Sequence, residues 1–221
     1  MTRLLVLRPE PVASATVAKA RERGLKAVAM PLFEIEPVVW EAPKAGGFDG
    51  LLLTSANGIR CAGGQVEKLR GLKVYAVGEA SAQAAREAGF DLAGAGNGGV
   101  DRLLGSIEPN LKLLHLCGED RHAPHEPRQK ITRITTYRSR QIESPQLALK
   151  PDDIALIHSP RAGRRLAELV SNRWIIAIVA ISTAAAEAAG EGWKSVAVAQ
   201  EPSDEALLAL AARLCNNPPP K

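Results

Sequence analysis

The sequence predicts an α/β protein with two parallel, doubly wound sheets that two extended segments connect. Short apolar strands alternate with helical segments along most of the chain, which is the pattern of parallel sheets with helices on their faces. A strand–turn–helix unit also repeats within the chain. Two further segments, residues 33–40 and 133–140, have the composition of extended chain. We therefore expect two bodies of similar design, with five strands each.

The internal repeat is visible in three places. Residues 48–58 resemble residues 152–162, which aligns Ser55 with Ser159. At the same spacing, residues 76–85 resemble residues 180–189. Residues 3–7 also resemble residues 112–116, at a slightly larger spacing. Repetition of whole strand–turn–helix units indicates that one supersecondary design is used twice.

This repeat sets the predicted domain boundaries. The first domain is discontinuous and takes residues 1–33 and 145–221, while residues 48–130 form the second domain. Residues 34–47 and 131–144 cross between the domains as a two-stranded ladder. The outgoing crossing contains Pro37, which restricts it to an edge or a connection because proline cannot donate to a ladder.

The return crossing carries a tyrosine. Residues 133–140 alternate β-favouring residues with charges, which is the period-two pattern of a half-buried strand. Tyr137 shares one face of this strand with Arg133, Thr135 and Ser139. We expect Tyr137 to lie at the mouth of a cleft between the two bodies.

The other elements follow in chain order. Strands are predicted at residues 4–7, 26–32, 51–53, 73–77, near 92 and at 113–117. Helices are predicted at residues 12–23, 100–107 and 203–214. Two more are predicted, one directly after the turn at residues 54–58 and one that runs from the turn at residues 78–81 to residue 88. Gly24 and Gly89 are natural stops for the helices before them, because glycine readily takes the left-handed conformation that ends a helix. Residues 218–220 are three prolines and indicate a frayed tail.

Composition excludes several classes of protein. With 46% hydrophobic and 24% charged residues, the chain has the composition of a globular protein. No apolar run approaches the roughly 20 residues of a membrane span, and the first residues indicate a strand rather than a signal peptide. Cys61, Cys117 and Cys215 are odd in number and scattered, which favours free thiols and a cytoplasmic location.

Positive charge is concentrated in one part of the chain. Residues 112–165 contain eleven lysines and arginines against six acidic residues, whereas the whole chain carries a net charge of +4. All four histidines lie in the same stretch. Such an excess suggests an anionic partner. A solvated basic surface explains it equally well.

Polar turns follow several of the predicted strands. In parallel sheets, ligands bind beyond the carboxyl ends of the strands, where the turns at residues 54–58, 78–81, 159–163 and 182–183 are expected. Backbone N–H groups at helix N-termini bind carboxylates. The serines and asparagine of these turns also have a purely structural interpretation, since such residues cap helices.

The order of the motifs resembles the uroporphyrinogen-III synthase family over the whole chain. The motifs that carry the resemblance are Leu7-Arg8-Pro9, residues 53–58, residues 77–81, Cys117-Gly118-Glu119 with Arg121, Tyr137 and residues 159–162. The resemblance implies two flavodoxin-like domains joined by a two-stranded ladder, with the substrate in the cleft. It also implies that linear hydroxymethylbilane is closed into uroporphyrinogen III with loss of water and inversion of ring D, without a cofactor or metal.

The resemblance further implies roles for individual residues. Tyr137 would assist departure of the hydroxyl group, although a strand tyrosine can also simply pack against its ladder. The family's cleft turns correspond here to Thr54, Ser55, Asn57, Gly78, Ser81, Ser159, Ser182 and Thr183. Arg8 either binds a substrate carboxylate or ends a strand at the surface. The chain departs from the family at residues 182–185, where the family often has threonines.

Other functions remain open at this point. A non-catalytic two-lobed protein that binds an anionic small molecule is the main alternative, since two linked α/β lobes also suit closure on a ligand. Nucleic-acid binding is disfavoured because the basic stretch has few aromatics and no recognisable binding motif. We expect a monomer that acts on a small molecule, with no membrane partner.

Two motifs have weaker functional interpretations. Residues 94–99 fit the GxGxxG pattern, which indicates either a dinucleotide site or a flexible turn, but the strand before them is weak. His115 and Cys117 share a strand face, with His122 and His125 nearby, and this invites a zinc site. The spacing lacks two tight ligand pairs, so we predict no metal.

Overall fold

The computed structural model describes residues 2–96, 98–120 and 123–216 and divides the chain into two compact units. Unit 1 comprises Met1–Glu34 and Gln141–Lys221, and unit 2 comprises Ile35–Arg140. Asn97, Arg121, His122 and the predicted tail at residues 218–220 lie outside the described residues.

The described residues contain eleven strands and seven α-helices. In chain order the strands are β1 (Leu4–Val6), β2 (Ala27–Ala29), β3 (Phe33–Pro37), β4 (Gly50–Leu53), β5 (Lys73–Val77), β6 (Leu92–Gly96), β7 (Lys112–Gly118), β8 (Lys130–Gln141), β9 (Ile154–Ile157), β10 (Ala177–Ala180) and β11 (Val196–Val198). The helices are α1 (Val12–Glu22), α2 (Ala56–Arg60), α3 (Glu79–Glu87), α4 (Val100–Ser106), α5 (Pro160–Leu169), α6 (Thr183–Ala189) and α7 (Asp204–Asn216). None of the described helices is long and apolar enough to cross a membrane.

Unit 1 is a five-stranded sheet with the order β11-β10-β9-β1-β2 and parallel pairing between neighbours. Its central strands are fully buried because helices cover both faces. Leu5 belongs to a cluster with Leu166 of α5, while Leu4 belongs to a second cluster with Leu207 of α7. Adjacent residues of one strand therefore face opposite cores, as the period of two requires.

Unit 2 is a six-stranded sheet with the order β3-β8-β7-β4-β5-β6. β4 pairs in parallel with β5 and β7, and β7 pairs in parallel with β8. Leu51 packs in a cluster with Ile59 of α2, whereas Leu52 packs in the opposite cluster with Leu103 of α4. The consecutive buried leucines of β4 therefore pack against helices on both faces of the sheet.

The predicted ladder differs from the observed one in its attachment. β3 and β8 are neighbours, but β8 also pairs with β7 from Lys112 to Gly118. The two crossing strands therefore extend the sheet of unit 2, which has six strands instead of five. Ile131 and Ile134 explain this attachment, because they pack against the apolar clusters on opposite faces of that sheet.

The repeat expected from the sequence is confirmed by the strand neighbours. The order β7-β4-β5-β6 in unit 2 corresponds to β1-β9-β10-β11 in unit 1. Counted within its own unit, the sheet of unit 1 has the order 2-1-3-4-5, and the last five strands of unit 2 have the order 5-4-1-2-3. The second order is a circular permutation of the first, because the chain leaves unit 1 after only two strands.

The glycine-rich stretch at residues 94–99 is partly a strand. Gly94 and Gly96 lie in β6, which pairs with β5 at the edge of the sheet. The ring of Tyr75 in β5 lies beside Gly94, at 3.5 Å from the position that a β-carbon would take. The first two glycines of the motif are therefore not in a strand-to-helix turn, as a dinucleotide site would require.

Candidate functional site

Unit 2 has a concavity of about 290 Å³ at the carboxyl ends of β4, β5 and β7. These ends meet at one edge because the strands are parallel. Its lining residues are Thr54, Ser55, Val77, Val100, Gly118, Asp120 and Tyr137. We refer to it as the phenol pocket. Its position is where open α/β sheets bind ligands.

An irregularity between β7 and β8 directs Tyr137 into the phenol pocket. Cys117 is paired with Thr135, but the next residue, Gly118, is paired with Tyr137, so β8 has one extra residue at this point. That residue is Thr136, which is fully buried and donates from Oγ1 to the carbonyl oxygen of Gly58 at 2.8 Å. A bulge of this kind re-aims the following side chain, here the phenol.

Burial raises the pKa of the Tyr137 hydroxyl above its usual range. A hydrogen bond with the Ser55 side chain acts in the opposite direction and is the smaller effect. The phenol is therefore neutral at neutral pH and keeps a proton that it can donate.

The Thr54 hydroxyl lies between the phenol pocket and the core. Its Oγ1 is 3.0 Å from Nε2 of His115, which is 1% exposed in β7. Ser55, the next residue, caps α2 by accepting the N–H of Asn57 at 3.3 Å. Thr54, Ser55 and Tyr137 are thus brought together in one pocket.

The other predicted residues of unit 2 lie outside the lining of the phenol pocket. Asn57 is in the first turn of α2 and contributes its backbone N–H to the Ser55 cap. Gly78 precedes α3 with a φ of 78°, and a β-carbon added to it would meet no other group within 4 Å. Ser81 is 3% exposed on α3.

Unit 1 has a smaller concavity of about 170 Å³ at the corresponding strand ends. Its lining residues are Leu7, Arg8, Pro9, Phe33, Leu156, His158, Ser159 and Ala162. Ser159 caps α5 by accepting the N–H of Ala162 at 3.2 Å. Ser182 caps α6 in the same way, and Thr183 is exposed beside it. Arg8 and Ser159 therefore share a pocket, whereas Ser182 and Thr183 do not line it.

Arg8 is bound to an internal carboxylate. Its Nη1 donates to both oxygens of Asp204, at 2.7 and 2.9 Å. Nε2 of His158 lies 3.4 Å from Asp204 Oδ1, within ion-pair distance. His158 and then Arg8 lower the pKa of Asp204 to about 2, against the opposing effect of burial. The charge of Arg8 is thus balanced within unit 1.

Most of the side-chain contacts in the two pockets were not predicted from the sequence. His115 and Cys117 suggested zinc, but His115 contacts Thr54, and Cys117 Sγ lies 3.5 Å from the carbonyl oxygen of Ile134. The described residues contain no group of three side chains suited to a metal ion, and His122 lies outside them. One signal for the Thr54 contact was present: His115 interrupts an otherwise apolar strand.

Comparison with known proteins supports one family. The family model of uroporphyrinogen-III synthase HemD matches residues 14–209. Among solved structures, the chain resembles uroporphyrinogen-III synthetase from Helicobacter pylori, with a TM-score of 0.70 and 16% identity over 97% of this chain and 100% of that one. A mutant uroporphyrinogen III synthase from Thermus thermophilus matches with a TM-score of 0.55 and 18% identity over 98% of this chain and 100% of that one. No curated protein sequence gives a significant match.

Proposed function

The chain belongs to the uroporphyrinogen-III synthase family, a family of lyases in haem biosynthesis, and we propose that the phenol pocket is its reaction site. The reaction closes linear hydroxymethylbilane into uroporphyrinogen III with loss of water and inversion of ring D. The observation that supports the site is the neutral phenol of Tyr137, held with two other hydroxyl groups at the carboxyl ends of parallel strands.

Tyr137 acts on the leaving hydroxyl group. The phenol donates its proton as the C–O bond breaks, and the electron pair of that bond leaves with the oxygen as water. The pyrrole nitrogen lone pair stabilises the resulting cation, which the substituted carbon of ring D then attacks to give a spiro intermediate. The older bond from that carbon to the methylene bridge of ring C then breaks, and the ring C pyrrole nitrogen stabilises the methylene cation that results. This methylene carbon bonds to the unsubstituted α-carbon of ring D, which inverts the ring. The same carbon of ring D then loses its proton, which restores the aromatic pyrrole, and this proton returns to the phenolate of Tyr137. Burial favours this return, because a phenol with a raised pKa has a more basic phenolate.

Positioning is the larger part of the task. Attack by the substituted carbon of ring D requires a folded substrate, and holding reacting atoms in a near-attack arrangement lowers the barrier without a strong acid or nucleophile. Thr54 and Ser55 have hydroxyl groups in the phenol pocket that can bind the substrate. Asn57, Gly78 and Ser81 belong to the turns and first helical residues that follow β4 and β5, and we propose them as further substrate-binding residues.

Unit 1 offers further groups for a polyanionic substrate. Arg8 and Ser159 line its concavity, and Ser182 and Thr183 begin α6. We propose them as carboxylate-binding residues, with Arg8 exchanging its bond to Asp204 for a substrate carboxylate. Exchange of one carboxylate for another keeps the guanidinium paired throughout.

The strand order supports a flavodoxin-like design for both units. The order 2-1-3-4-5 of unit 1 is that of flavodoxin-like sheets, and unit 2 has the same neighbours in permuted chain order. We propose that these units are the two domains of the enzyme. Their boundaries at Glu34, Ile35, Arg140 and Gln141 lie near the segments expected to cross between domains.

The three free cysteines support a reducing compartment such as the cytoplasm. A non-catalytic binding protein for an anionic small molecule is not favoured, since the family is one of lyases.

Product analysis tests the proposed function. The purified protein is incubated with hydroxymethylbilane, the products are oxidised, and the type I and type III porphyrin isomers are separated. We expect mainly type III isomer, in amounts that rise with enzyme concentration. Formation of the type I isomer alone, as in spontaneous closure, would contradict the function.

A further inference from the structure

His115 is an unexpected residue at its position in β7. It is 1% exposed, and it is paired across the sheet with Leu52 of β4. Alternation along β7 puts it on the same face as Leu113, whose apolar cluster contains Leu52 and Leu103. Burying an imidazole costs free energy unless hydrogen bonds replace its water. A leucine would suit this layer better, so the histidine requires another explanation.

The contact with Thr54 provides that explanation. Nε2 of His115 lies 3.0 Å from Oγ1 of Thr54. Thr54 is only half-buried and lines the phenol pocket, so water could satisfy its hydroxyl group without His115. The contact is therefore not needed to satisfy Thr54. What it changes is the direction in which the threonine hydroxyl points.

We propose that His115 is a positioning residue, which orients the Thr54 hydroxyl towards the substrate in the phenol pocket. This inference rests on the proposed function of that pocket. β7 lies between β4, which Thr54 follows, and β8, which carries Tyr137. The imidazole occupies one hydrogen-bonding direction of Oγ1 and leaves the others to the pocket. A hydroxyl group oriented in advance needs no reorganisation when the substrate reacts.

The first test replaces His115 by leucine. We expect kcat to fall about tenfold, the effect of one misdirected hydrogen bond, while KM changes little. The stability of H115L to urea should equal or exceed that of the wild type, because leucine matches the apolar layer. L113V is the matched control on the same strand face: it should lose stability and keep the wild-type kcat. An unchanged kcat in H115L would overturn the proposal. A fall in kcat no larger than the fall in the fraction of folded protein would overturn it as well.

The second test uses T54S in both backgrounds. A threonine side chain is held partly by its own β-branching, whereas a serine hydroxyl rotates freely unless a partner holds it. With His115 present, the partner holds serine as well. We therefore expect the loss of kcat caused by T54S to be about tenfold larger in the H115L background than with His115 in place. Equal losses in the two backgrounds would show that the residues act independently and would overturn the proposal.

The third test does not depend on activity. Three-bond couplings to the Thr54 γ-methyl carbon, measured by NMR, report its χ1 rotamer. We expect one rotamer in the wild type and averaging in H115L, and H115M replaces H115L in every measurement if the leucine variant does not fold. One unchanged rotamer in the variant would overturn the proposal. Failure of the proposed function is distinguishable, since it would appear as absent type III isomer in the wild type.

Discussion

The main chain at Gly118 and the phenol ring of Tyr137 leave no space between them for a side chain. A β-carbon added to Gly118 would lie 2.7 Å from Cζ of Tyr137 and 2.9 Å from its hydroxyl oxygen. These distances are shorter than any ordinary carbon contact. The ring of Tyr137 therefore packs directly against the main chain of Gly118, and its hydroxyl group lies at the wall of the phenol pocket.

This close contact makes Gly118 a sensitive position. We expect G118A to displace the phenol and to lower kcat, whereas the fold of unit 2 persists because Gly118 ends its strand. Combining G118A with Y137A removes the clash, so the double variant should be no less active than Y137A alone. Measurements of kcat for the three variants test this. A double variant with a lower kcat than Y137A would contradict the explanation.

Replacing Tyr137 by phenylalanine removes the proton donor and leaves the ring. General acid catalysis contributes about 100-fold or more, so we expect kcat to fall by about that factor without a change in stability. Tyr75 is the other tyrosine of the chain and belongs to β5, which makes Y75F the matched control. Wild-type turnover by Y137F, or an equal loss in Y75F, would remove Tyr137 from the mechanism.

The pH dependence of turnover follows from the raised pKa of Tyr137. A free tyrosine ionises near pH 10, and burial moves this ionisation to higher pH. The donor stays protonated below that pH, so kcat should show no alkaline decline below about pH 10. Steady-state rates between about pH 7 and 10, corrected for spontaneous closure, test this. A decline centred near pH 8 that is absent in Y137F would contradict it.

Asp204 should stabilise unit 1 in a defined pH range. Its pKa is lowered to about 2 from 3.8, so the stabilisation is complete above about pH 4 and is lost as the pH falls towards 2. The shift corresponds to about 1–2 kcal/mol after allowance for partial exposure, and D204N should lose about this much at pH 7.

Urea unfolding of D204N at several pH values checks this expectation. Glu205 is the adjacent acid and its side chain is 85% exposed, so E205Q should be nearly as stable as the wild type. We also expect the stability of D204N to fall less steeply than that of the wild type between about pH 4 and pH 2. An identical pH dependence in the two proteins would show that the contact with Arg8 and His158 contributes nothing.

Much of the fold could be predicted from the sequence because its central strands are buried on both faces. The runs at Leu51–Leu53 and Ile154–Ile157 are apolar throughout, and polar turns follow both. The strand repeat then follows from comparing these runs. The attachment of β8 to β7 could not be predicted, since it depends on which edge of a sheet the isoleucines of β8 reach.

The candidate site was only partly predictable. Thr54, Ser55 and Tyr137 follow from the strand ends and the family resemblance. The bulge at Thr136 that aims Tyr137 depends on strand pairing, which no local pattern specifies. The partnership of Arg8 with Asp204 joins residues from opposite ends of the chain, and it therefore had no signal in the sequence around either residue.

The permuted strand order also constrains biosynthesis on the ribosome. β1 is paired on one side with β2 and on the other with β9. In a nascent chain, β1 therefore has only one of its two neighbouring strands until residues 154–157 are translated. All described strands of unit 2 are complete by residue 141. Unit 2 can therefore finish folding co-translationally, while the N-terminal strands of unit 1 wait for the last third of the polypeptide.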